Sequence, residues 1–232
     1  MSQAASPFPV APDDDPPPIV GEPSRLTRKL DKWRFRPWFR HGEFSTDWAT
    51  SHFSVWRRVL APLRGRGADV LEIGSWEGRS AIFFLNFLRD AKLVCIDTFA
   101  GGVEHRTDGP FTAQVPLIEQ RFDRNLAAFA GRVEKIKSAS VPALVRLATQ
   151  PRLFDLAYID GSHRRDDVMA DSNHVWPLMR PGGIVIWDDY TWSPDAPPEE
   201  RPQPAIDAFL AAHEGRYRLL AKGLQVIVRR LS

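Results

Sequence analysis

Short apolar runs alternate along most of the chain with longer stretches in which apolar residues recur every three or four positions. A short apolar run bounded by turn residues predicts a buried strand, whereas the wider spacing predicts an amphipathic helix. The pattern predicts five strands, each followed by a helix. The strands are expected at 69–74, 92–97, 133–137, 153–160 and 183–188, and the helices at 77–89, 113–130, 141–149, 163–178 and 205–213.

This repeated order of strand and helix predicts an α/β fold with a doubly wound parallel sheet and helices on both faces. The last two apolar runs, at 217–221 and 225–230, meet at Lys222 and Gly223 and predict a C-terminal antiparallel hairpin. The expected sheet is therefore seven-stranded and mainly parallel. Ligands of such sheets bind beyond the carboxyl ends of the strands, so the candidate chemistry is sought there.

The chain before the first strand divides into two unlike segments. Residues 1–23 hold no Lys or Arg, four acids and seven of the 20 prolines, and predict a disordered tail because they offer too few apolar residues for a core. Residues 24–62 are basic and aromatic, with a helix expected at 46–60, and predict an N-terminal helical cap. Residues 63–232 are expected to form the α/β domain, with a glycine-containing lid at 101–115.

The overall net charge of +2 hides the contrast between these segments, because the chain without its acidic tail carries +6. A basic body suits nucleic acid or an anionic substrate, and composition does not choose between them. No apolar run reaches the length of a membrane-spanning helix, and the N-terminus lacks the pattern of a secretory signal. The single cysteine, Cys95, excludes an intrachain disulfide and a cysteine-based zinc site. These features predict a cytoplasmic protein.

The first predicted strand runs into a glycine-containing turn, EIGSWEGRS. Trp76 stands where the dinucleotide-binding fingerprint has its second glycine, and no Walker A sequence follows. Glu72, at the end of the strand, would repel a pyrophosphate but suits an amino-bearing ligand; a plain strand-to-helix turn is the alternative. Asp97 ends the second strand and is placed to accept hydrogen bonds from a ribose, with a solvated turn acid as its alternative.

Three carboxylates follow the fourth and fifth strands. Asp160 ends the fourth, and Asp188 and Asp189 end the fifth. Because neighbouring strands lie about 4.8 Å apart, these acids are expected to converge. An all-oxygen set suits Mg²⁺, or else Mn²⁺ or Ca²⁺, better than zinc. The alternative is that Asp160 meets an amino group of the ligand while the other two cap the strand and loop.

His163 follows Asp160 by three residues, at the expected start of a helix capped by Ser162. A helix N-terminus disfavours added positive charge, so a neutral histidine is expected there. Histidine ordinarily has a pKa of about 6.5, which suits a general base at neutral pH. A purely structural histidine is the alternative.

Four motifs occur in a fixed order: VLEIGSWEGRS, VCIDTFAGG, DLAYIDGSHRRDDV and LMRPGGIVIWDDY. With them the chain resembles the class I S-adenosylmethionine-dependent methyltransferases, which have a Rossmann-like fold. More narrowly, it resembles the methyltransferase-domain-24 family and the macrolide-sugar O-methyltransferases. The resemblance covers about residues 44–230.

The resemblance implies an enzyme that binds S-adenosylmethionine at the ends of the first three strands. The residues it assigns to the cofactor are Glu72, Gly74, Ser75, Gly78, Ser80, Asp97, Thr98, Phe99, Ser138 and Ala139, together with Asp160. It further implies that Asp160, Asp188 and Asp189 bind a divalent metal, Mg²⁺ before others, and that His163 is the catalytic base with Asp160 beside it.

We therefore expect a divalent-metal-assisted O-methylation of a hydroxyl on a small molecule, either a sugar or a compound like a natural product. A metal-independent small-molecule methyltransferase is the alternative within the class. A nucleic-acid-binding or nucleic-acid-modifying protein is an alternative of another class, because residues 25–40 interleave seven basic residues with four aromatics. A non-catalytic cofactor-binding scaffold is a third. The sequence leaves the acceptor, the metal and any homo-oligomer open.

Overall fold

The computed structural model of the protein describes residues 16–102 and 111–232. These residues form one eight-stranded sheet in the order β1-β7-β8-β6-β5-β2-β3-β4. Strand β8 is antiparallel to both β6 and β7, and the other neighbours run parallel. The strands are β1 (Ile19–Val20), β2 (Asp69–Ile73), β3 (Lys92–Asp97), β4 (Val133–Lys137), β5 (Phe154–Ile159), β6 (Met179–Trp187), β7 (Tyr217–Lys222) and β8 (Val226–Arg230).

The α-helices cover both faces of this sheet, as predicted. They are α1 (Arg25–Phe39), α2 (Phe53–Val59), α3 (Arg79–Phe87), α4 (Ile118–Leu126), α5 (Ser140–Ala148), α6 (Arg165–Val175) and α7 (Gln203–Ala212). The helix expected at 113–130 is α-helical only in α4, with 3-10 turns on either side and Pro116, which has no N–H to donate, in the first of them. None of the described helices is long and apolar enough to span a lipid bilayer.

Alternate residues of the central strands point to opposite faces and build two cores. On one face, residues such as Val70 and Tyr158 pack against α1 to α4. On the other face, residues such as Leu71 and Ile159 pack against α5 to α7. Because both faces are covered, the central strands read as continuous apolar runs, which is why the sequence pattern located them.

The cap segment, 24–62, is helical but is built differently from the expectation. Helix α1 was not predicted, and the helix expected at 46–60 is a 3-10 turn, Thr50–His52, followed by α2. The backbone N–H of Thr50 donates to Asp47 Oδ1 at 3.3 Å, which delays the first helical turn. Several aromatic residues of this segment are core, and the ring of Phe53 stacks on Phe83 at 4.3 Å. Trp33 and Trp48 are exposed instead.

The end of the predicted tail is ordered, and the prediction is wrong there. Ile19 and Val20 pair in parallel with Ala221 and Lys222 and add the eighth strand. Two residues in β pairing give too short a signal for any periodicity to reveal. Residues 1–15 of the predicted tail, and 103–110 of the predicted lid, lie outside the described residues.

Candidate active site

The strand order reverses at β2, which pairs with β3 on one side and β5 on the other. The first turn of the site begins there, at Gly74, with a φ of +82°. A Cβ at this position would lie 1.9 Å from the backbone oxygen of Asp160, at the end of β5. Glycine is therefore required both by the left-handed backbone and by the close approach of the two strand ends.

Asp97 binds the turn that follows Gly74. Its Oδ2 accepts hydrogen bonds from the N–H groups of Ser75 and Trp76, each at 2.8 Å, and its Oδ1 accepts from the N–H of Phe99 at 2.6 Å. Burial raises the pKa of Asp97, and these three donors oppose that rise. Trp76 and Phe99 both have positive φ, +47° and +54°, so the carboxylate holds two strained residues in place.

Glu72 is fully buried at the end of β2, beneath this turn. Its Oε2 accepts a hydrogen bond from the thiol of Cys95 at 3.4 Å, and its Oε1 has no hydrogen-bond partner among the described residues. Burial raises the pKa of Glu72 to about 7, and the nearby hydroxyls of Ser80 and Ser75 oppose that rise only in part. An orphaned, buried carboxylate oxygen fits the ammonium group of an amino-acid ligand.

The other residues assigned to the cofactor lie at the same end of the sheet. Gly78, with a φ of +81°, caps the N-terminus of α3, and Ser80 lies in the first turn of that helix. Thr98 follows Asp97. Ser138 and Ala139 follow β4, where the N–H of Ser138 donates to the backbone oxygen of Asp97 at 3.0 Å. The structure thus brings all these positions to one edge, and their roles stay predictions.

The three carboxylates converge at the ends of β5 and β6, which are neighbours as predicted. The hydroxyl of Tyr158, a residue that the motifs did not single out, lies between Asp160 Oδ2, at 2.8 Å, and Asp188 Oδ2. Burial, and then the charges of Asp188 and Asp189, raise the pKa of Asp160 well above its ordinary value. The tyrosine hydroxyl is neutral and has a single proton to donate. It therefore cannot bind both carboxylates fully, and it does not neutralise their charge.

His163 points to the same acids, and its Nε2 lies 2.8 Å from Asp189 Oδ2. Its ring stacks on Trp192, with 4.3 Å between centroids. The predicted helix cap is wrong, because α6 begins only at Arg165. Ser162 Oγ accepts the N–H of Arg164 at 3.2 Å, which forms a local turn and leaves His163 in the loop before the helix.

A second histidine reaches the cluster from the cap. His52 is 9% exposed, and its Nε2 lies 3.7 Å from Asp188 Oδ1. Its ring stacks on Trp56, whose indole N–H donates to Gln225 Oε1 at 2.7 Å. The sequence places His52 only within the cap, because no pattern there shows which strand end it will face.

The cap, residues 24–62, covers the turn that begins at Gly74. Asn125 fastens it: its side chain accepts the N–H of Glu43 at 2.8 Å and donates to the backbone oxygens of Glu43 and Glu77 at 3.0 and 2.8 Å. The rings of Trp48 and Trp76 lie 5.3 Å apart. The cavity between cap, turn and acids measures about 40 Å³. That is room for only a few water molecules and well below the volume of small-molecule sites, which begins at about 300 Å³.

The donor atoms fit a hard cation. One ligand atom each from Asp160, His163 and Asp189 lie within 4.8 Å of one another. Asp188 is not in this set; its Oδ1 accepts the N–H of Asp189 at 2.8 Å, and its Oδ2 accepts a hydrogen bond from the hydroxyl of Tyr158. Among the residues that the structure describes, no Lys or Arg forms an ion pair with any of the three acids. The cluster therefore differs from the expected all-carboxylate set by including His163.

Sequence comparison identifies the family. A family model described as a methyltransferase domain matches residues 71–190, just over half of the chain, from β2 to the residue after the acid pair. The chain belongs to this methyltransferase family. The resemblance to class I S-adenosylmethionine-dependent methyltransferases is thereby confirmed. A relative of this methyltransferase, the uncharacterised protein R132 of Acanthamoeba polyphaga mimivirus, is 24% identical over 175 residues, 72% of this chain and 70% of the relative.

Solved structures share the fold of this methyltransferase. MycE from the mycinamycin biosynthetic pathway, in complex with Mg, SAH and mycinamycin VI, matches 88% of this chain with a TM-score of 0.60 and 16% identity. The match covers 53% of MycE, so the chain spans about half of that protein. An O-methyltransferase from Bacillus cereus, in complex with SAH, has a TM-score of 0.57 and 18% identity over 90% of this chain and 92% of its own. At such identities the likeness shows the fold.

Proposed function

We propose that this S-adenosylmethionine-dependent methyltransferase transfers the methyl group to a hydroxyl of a small molecule, with the assistance of a divalent cation. The observation that carries the proposal is the convergence of Asp160, His163 and Asp189 beside the turn that begins at Gly74. The turn suits a cationic cofactor, and the cluster beside it suits a hydroxyl that must lose its proton. The O-methyltransferases MycE and the Bacillus enzyme, both solved with SAH, support it by their fold.

On the cofactor side, the chain supplies charge and shape. Oε1 of Glu72 would accept a hydrogen bond from the ammonium group of S-adenosylmethionine, beneath the turn that begins at Gly74. Asp97 has both oxygens on backbone N–H groups. It accepts the ribose hydroxyls with the lone pairs that remain. These residues position the methyl group, and alignment of acceptor, methyl and leaving group is a major source of rate.

On the acceptor side, His163 takes the proton of the hydroxyl. When Nε2–H donates to Asp189, the lone pair of the ring lies on Nδ1, which becomes the basic atom. The stack on Trp192 fixes the plane of the ring. As the acceptor oxygen bonds to the methyl carbon, the electron pair of the breaking C–S bond passes to sulfur and the proton to Nδ1. The methylated product and a neutral thioether leave.

Asp160 and Asp189 would bind the cation directly. The charge of Asp188 would add to the negative potential at the site. Mg²⁺ is the preferred candidate, because carboxylates are its usual protein ligands and because MycE was solved with Mg. A bound divalent cation would orient the acceptor oxygens and lower the pKa of the hydroxyl. The chain itself provides the three negative charges and the Tyr158 hydroxyl that separates two of them.

The test of the reaction is a methyl-transfer screen with radiolabelled S-adenosylmethionine over sugar, catechol and natural-product hydroxyl acceptors. Each acceptor is assayed with Mg²⁺ and with a chelator in its place. The expected result is transfer to oxygen that the chelator abolishes and added Mg²⁺ restores. Full activity with the chelator would establish the metal-independent alternative instead.

The metal site is tested without an acceptor by thermal unfolding with and without Mg²⁺. Mg²⁺ at about 100 times its dissociation constant would stabilise the wild-type protein by about 2.7 kcal/mol. Asp160→Asn should lose this stabilisation. Asp155→Asn is the matched control, because Asp155 is a buried acid at the other end of the same strand, where it binds Arg180 at 3.0 Å. An equal Mg²⁺ response in all three proteins would contradict the site.

The compartment and the assembly remain proposals from the sequence. A cytoplasmic location agrees with the one cysteine, Cys95, which is buried and unpaired by disulfide. Fractionation of the source cells tests the location, and light scattering of the purified chain tests self-association.

A further inference from the structure

A second cavity, of about 310 Å³, lies between α1 and the segment that leads to α2. We name it the cationic cleft. Its charged lining residues are Lys32, Arg36, Arg40, Arg79 and a single acid, Asp47. Its volume lies at the lower end of the range for small-molecule sites. With four cations and one carboxylate, the cleft carries a formal charge of +3.

Helix geometry places three of these cations in one row. Lys32, Arg36 and Arg40 are four residues apart, so they follow one face of α1. Two aromatic residues of the same helix, Phe35 and Phe39, are buried and form the apolar part of the lining. Like charges at this spacing repel each other and destabilise an isolated helix. A bound anion would offset that repulsion.

The cleft already binds one carboxylate of its own chain. Asp47 Oδ1 accepts from Arg79 Nε at 2.9 Å, and Asp47 Oδ2 lies 3.2 Å from Lys32 Nζ. Burial disfavours the charge of Asp47, yet hydrogen bonding by Thr50 and the charges of Arg79 and Lys32 lower its pKa. Arg36 forms no ion pair with any of the described residues. One carboxylate therefore leaves most of the positive charge available.

Arg79 links this cleft to the active site, because it lines both cavities. It is the first residue of α3, directly after Gly78 of the cofactor turn. Its guanidinium lies over the rings of Phe39 and Phe44, at 4.4 and 5.0 Å from their centroids. The segment from Phe44 to Thr50 also lines both cavities: Asp47 and Thr50 border the cationic cleft, and Phe44 and Trp48 border the active-site cavity. The two cavities are therefore neighbours.

We propose that the cationic cleft binds the phosphate group of the methyl acceptor, which makes the acceptor a small phosphorylated hydroxyl compound. The proposal rests on the proposed function, because it identifies the substrate class of that same site. A phosphate monoester carries close to two negative charges at neutral pH, which matches a cleft of +3 better than a carboxylate does. Guanidinium groups also match phosphate oxygens in bidentate geometry.

Direct binding of inorganic phosphate is the first experiment, since it needs no acceptor and no activity. Calorimetric titrations at constant ionic strength compare wild type, Arg36→Ala and Arg34→Ala. Arg34 is the matched control: it is an exposed arginine of the same helix that does not line the cleft. We expect saturable binding of phosphate, weakened at least tenfold by Arg36→Ala and by less than twofold by Arg34→Ala. Acetate should bind at least tenfold more weakly than phosphate.

Two binding results would overturn the proposal. The first is the absence of saturable phosphate binding to the wild-type protein. The second is an equal loss in the two variants, because it would reduce the effect to net charge. A single-stranded oligonucleotide is titrated in parallel: tight, salt-dependent binding that both variants weaken equally would assign the basic helix to a nucleic-acid backbone instead.

Kinetics then separate this inference from the proposed function. A sugar and its phosphomonoester are compared as acceptors, and the expected KM of the phosphomonoester is at least tenfold lower. Arg36→Ala should abolish that preference and Arg34→Ala should retain it. Methyl transfer to both acceptors with equal KM would sink the phosphate proposal and leave the methyltransferase assignment standing. Phosphate binding at the cleft without methyl transfer to any hydroxyl would overturn the proposed O-methylation, and with it the assignment of the phosphate to a methyl acceptor, and would leave the cleft as an anion site only.

Discussion

The two halves of the site accommodate partly buried negative charge in opposite ways. At the ends of β2 and β3, Asp97 receives three backbone N–H groups, so the chain itself stabilises the carboxylate. At the ends of β5 and β6, three acids share one tyrosine hydroxyl and two histidines, and the described residues provide no Lys or Arg partner. The first half is therefore balanced by the main chain, whereas the negative charge of the second is not neutralised by any described Lys or Arg.

In the proposed function, this difference separates a structural half of the site from a reactive half. Buried charges that are hydrogen-bonded by the main chain hold loops in place. Buried charges left near each other disfavour ionisation and await a ligand. Glu72 lies in the first half but behaves like the second, because one of its oxygens is unpartnered. In the proposed function, this oxygen binds the ammonium group of the cofactor, so the first half also receives a positive charge from a ligand.

The largest expected effect is on the reactive half. Replacing His163 with Ala should lower turnover by about 10² to 10⁴-fold, because the general base is lost. Calorimetry should show S-adenosylmethionine and Mg²⁺ binding as tight as in wild type. His174→Ala is the control, since that histidine of α6 hydrogen-bonds the backbone oxygen of Ala170 and does not belong to the acid cluster. Unchanged turnover would remove His163 from the mechanism, and lost Mg²⁺ affinity would make it a metal ligand.

The next effect concerns Gly74, where the two halves of the site are in contact. Gly74→Ala should destabilise the protein by about 2–5 kcal/mol, because a strained φ is added to a collision with the backbone of Asp160. Gly65→Ala is the matched control: its φ is +69° but nothing lies within 4 Å of the added Cβ, so it should cost about 1 kcal/mol. Urea unfolding measures both. Equal losses would show that the strand ends are not in close contact.

A third effect appears in the pH dependence of stability. Folding raises the pKa of Glu72 from its ordinary 4.5 to about 7, so the folded protein keeps a proton that the unfolded chain loses. The contribution to the free energy of unfolding is full below pH 4.5 and is lost as the pH rises to about 7, a loss of about 3 kcal/mol. Glu72→Gln should lack this decline. Urea unfolding from pH 4.5 to 8 checks it, and parallel curves for the two proteins would contradict it.

The smallest effect concerns the hydrogen bonds that attach the cap to the rest of the domain. Asn125→Ala removes the hydrogen bonds to Glu43 and to the backbone oxygen of Glu77, and should cost about 1–3 kcal/mol. The loss should be local: hydrogen exchange in the segment around Trp48 should speed up more than exchange in β2. Uniform acceleration in both regions would instead indicate a general loss of stability.

The strand ends were predictable because the parallel sheet imposes them. Apolar runs located the central strands, and the residues at their carboxyl ends, such as Asp97 and Asp160, had to meet at one edge. Tyr158 was not predictable as part of the site, because it lies within a buried run where every residue looks like core. Its hydroxyl reaches the acids only because alternate residues of β5 face the cap.

The cap was the least predictable part. Its aromatic spacing fits several helix registers, and the choice is made by packing against Phe83 of α3 rather than by local sequence. The same holds for His52, whose neighbour Asp188 is far away in the chain. The cationic cleft depends likewise on Arg79, which joins charges from α1 to a helix that follows β2.

The short strand β1 has a consequence for the behaviour of the protein at high concentration. The antiparallel side of the sheet ends on two residues preceded by three prolines, at 16–18, which have no N–H to offer an incoming strand. At the opposite edge, β4 presents Lys135 and Lys137, both paired with Glu119. Prolines on one margin and charges on the other discourage the addition of strands from a second molecule. The sheet is thereby protected against edge-to-edge aggregation on both sides.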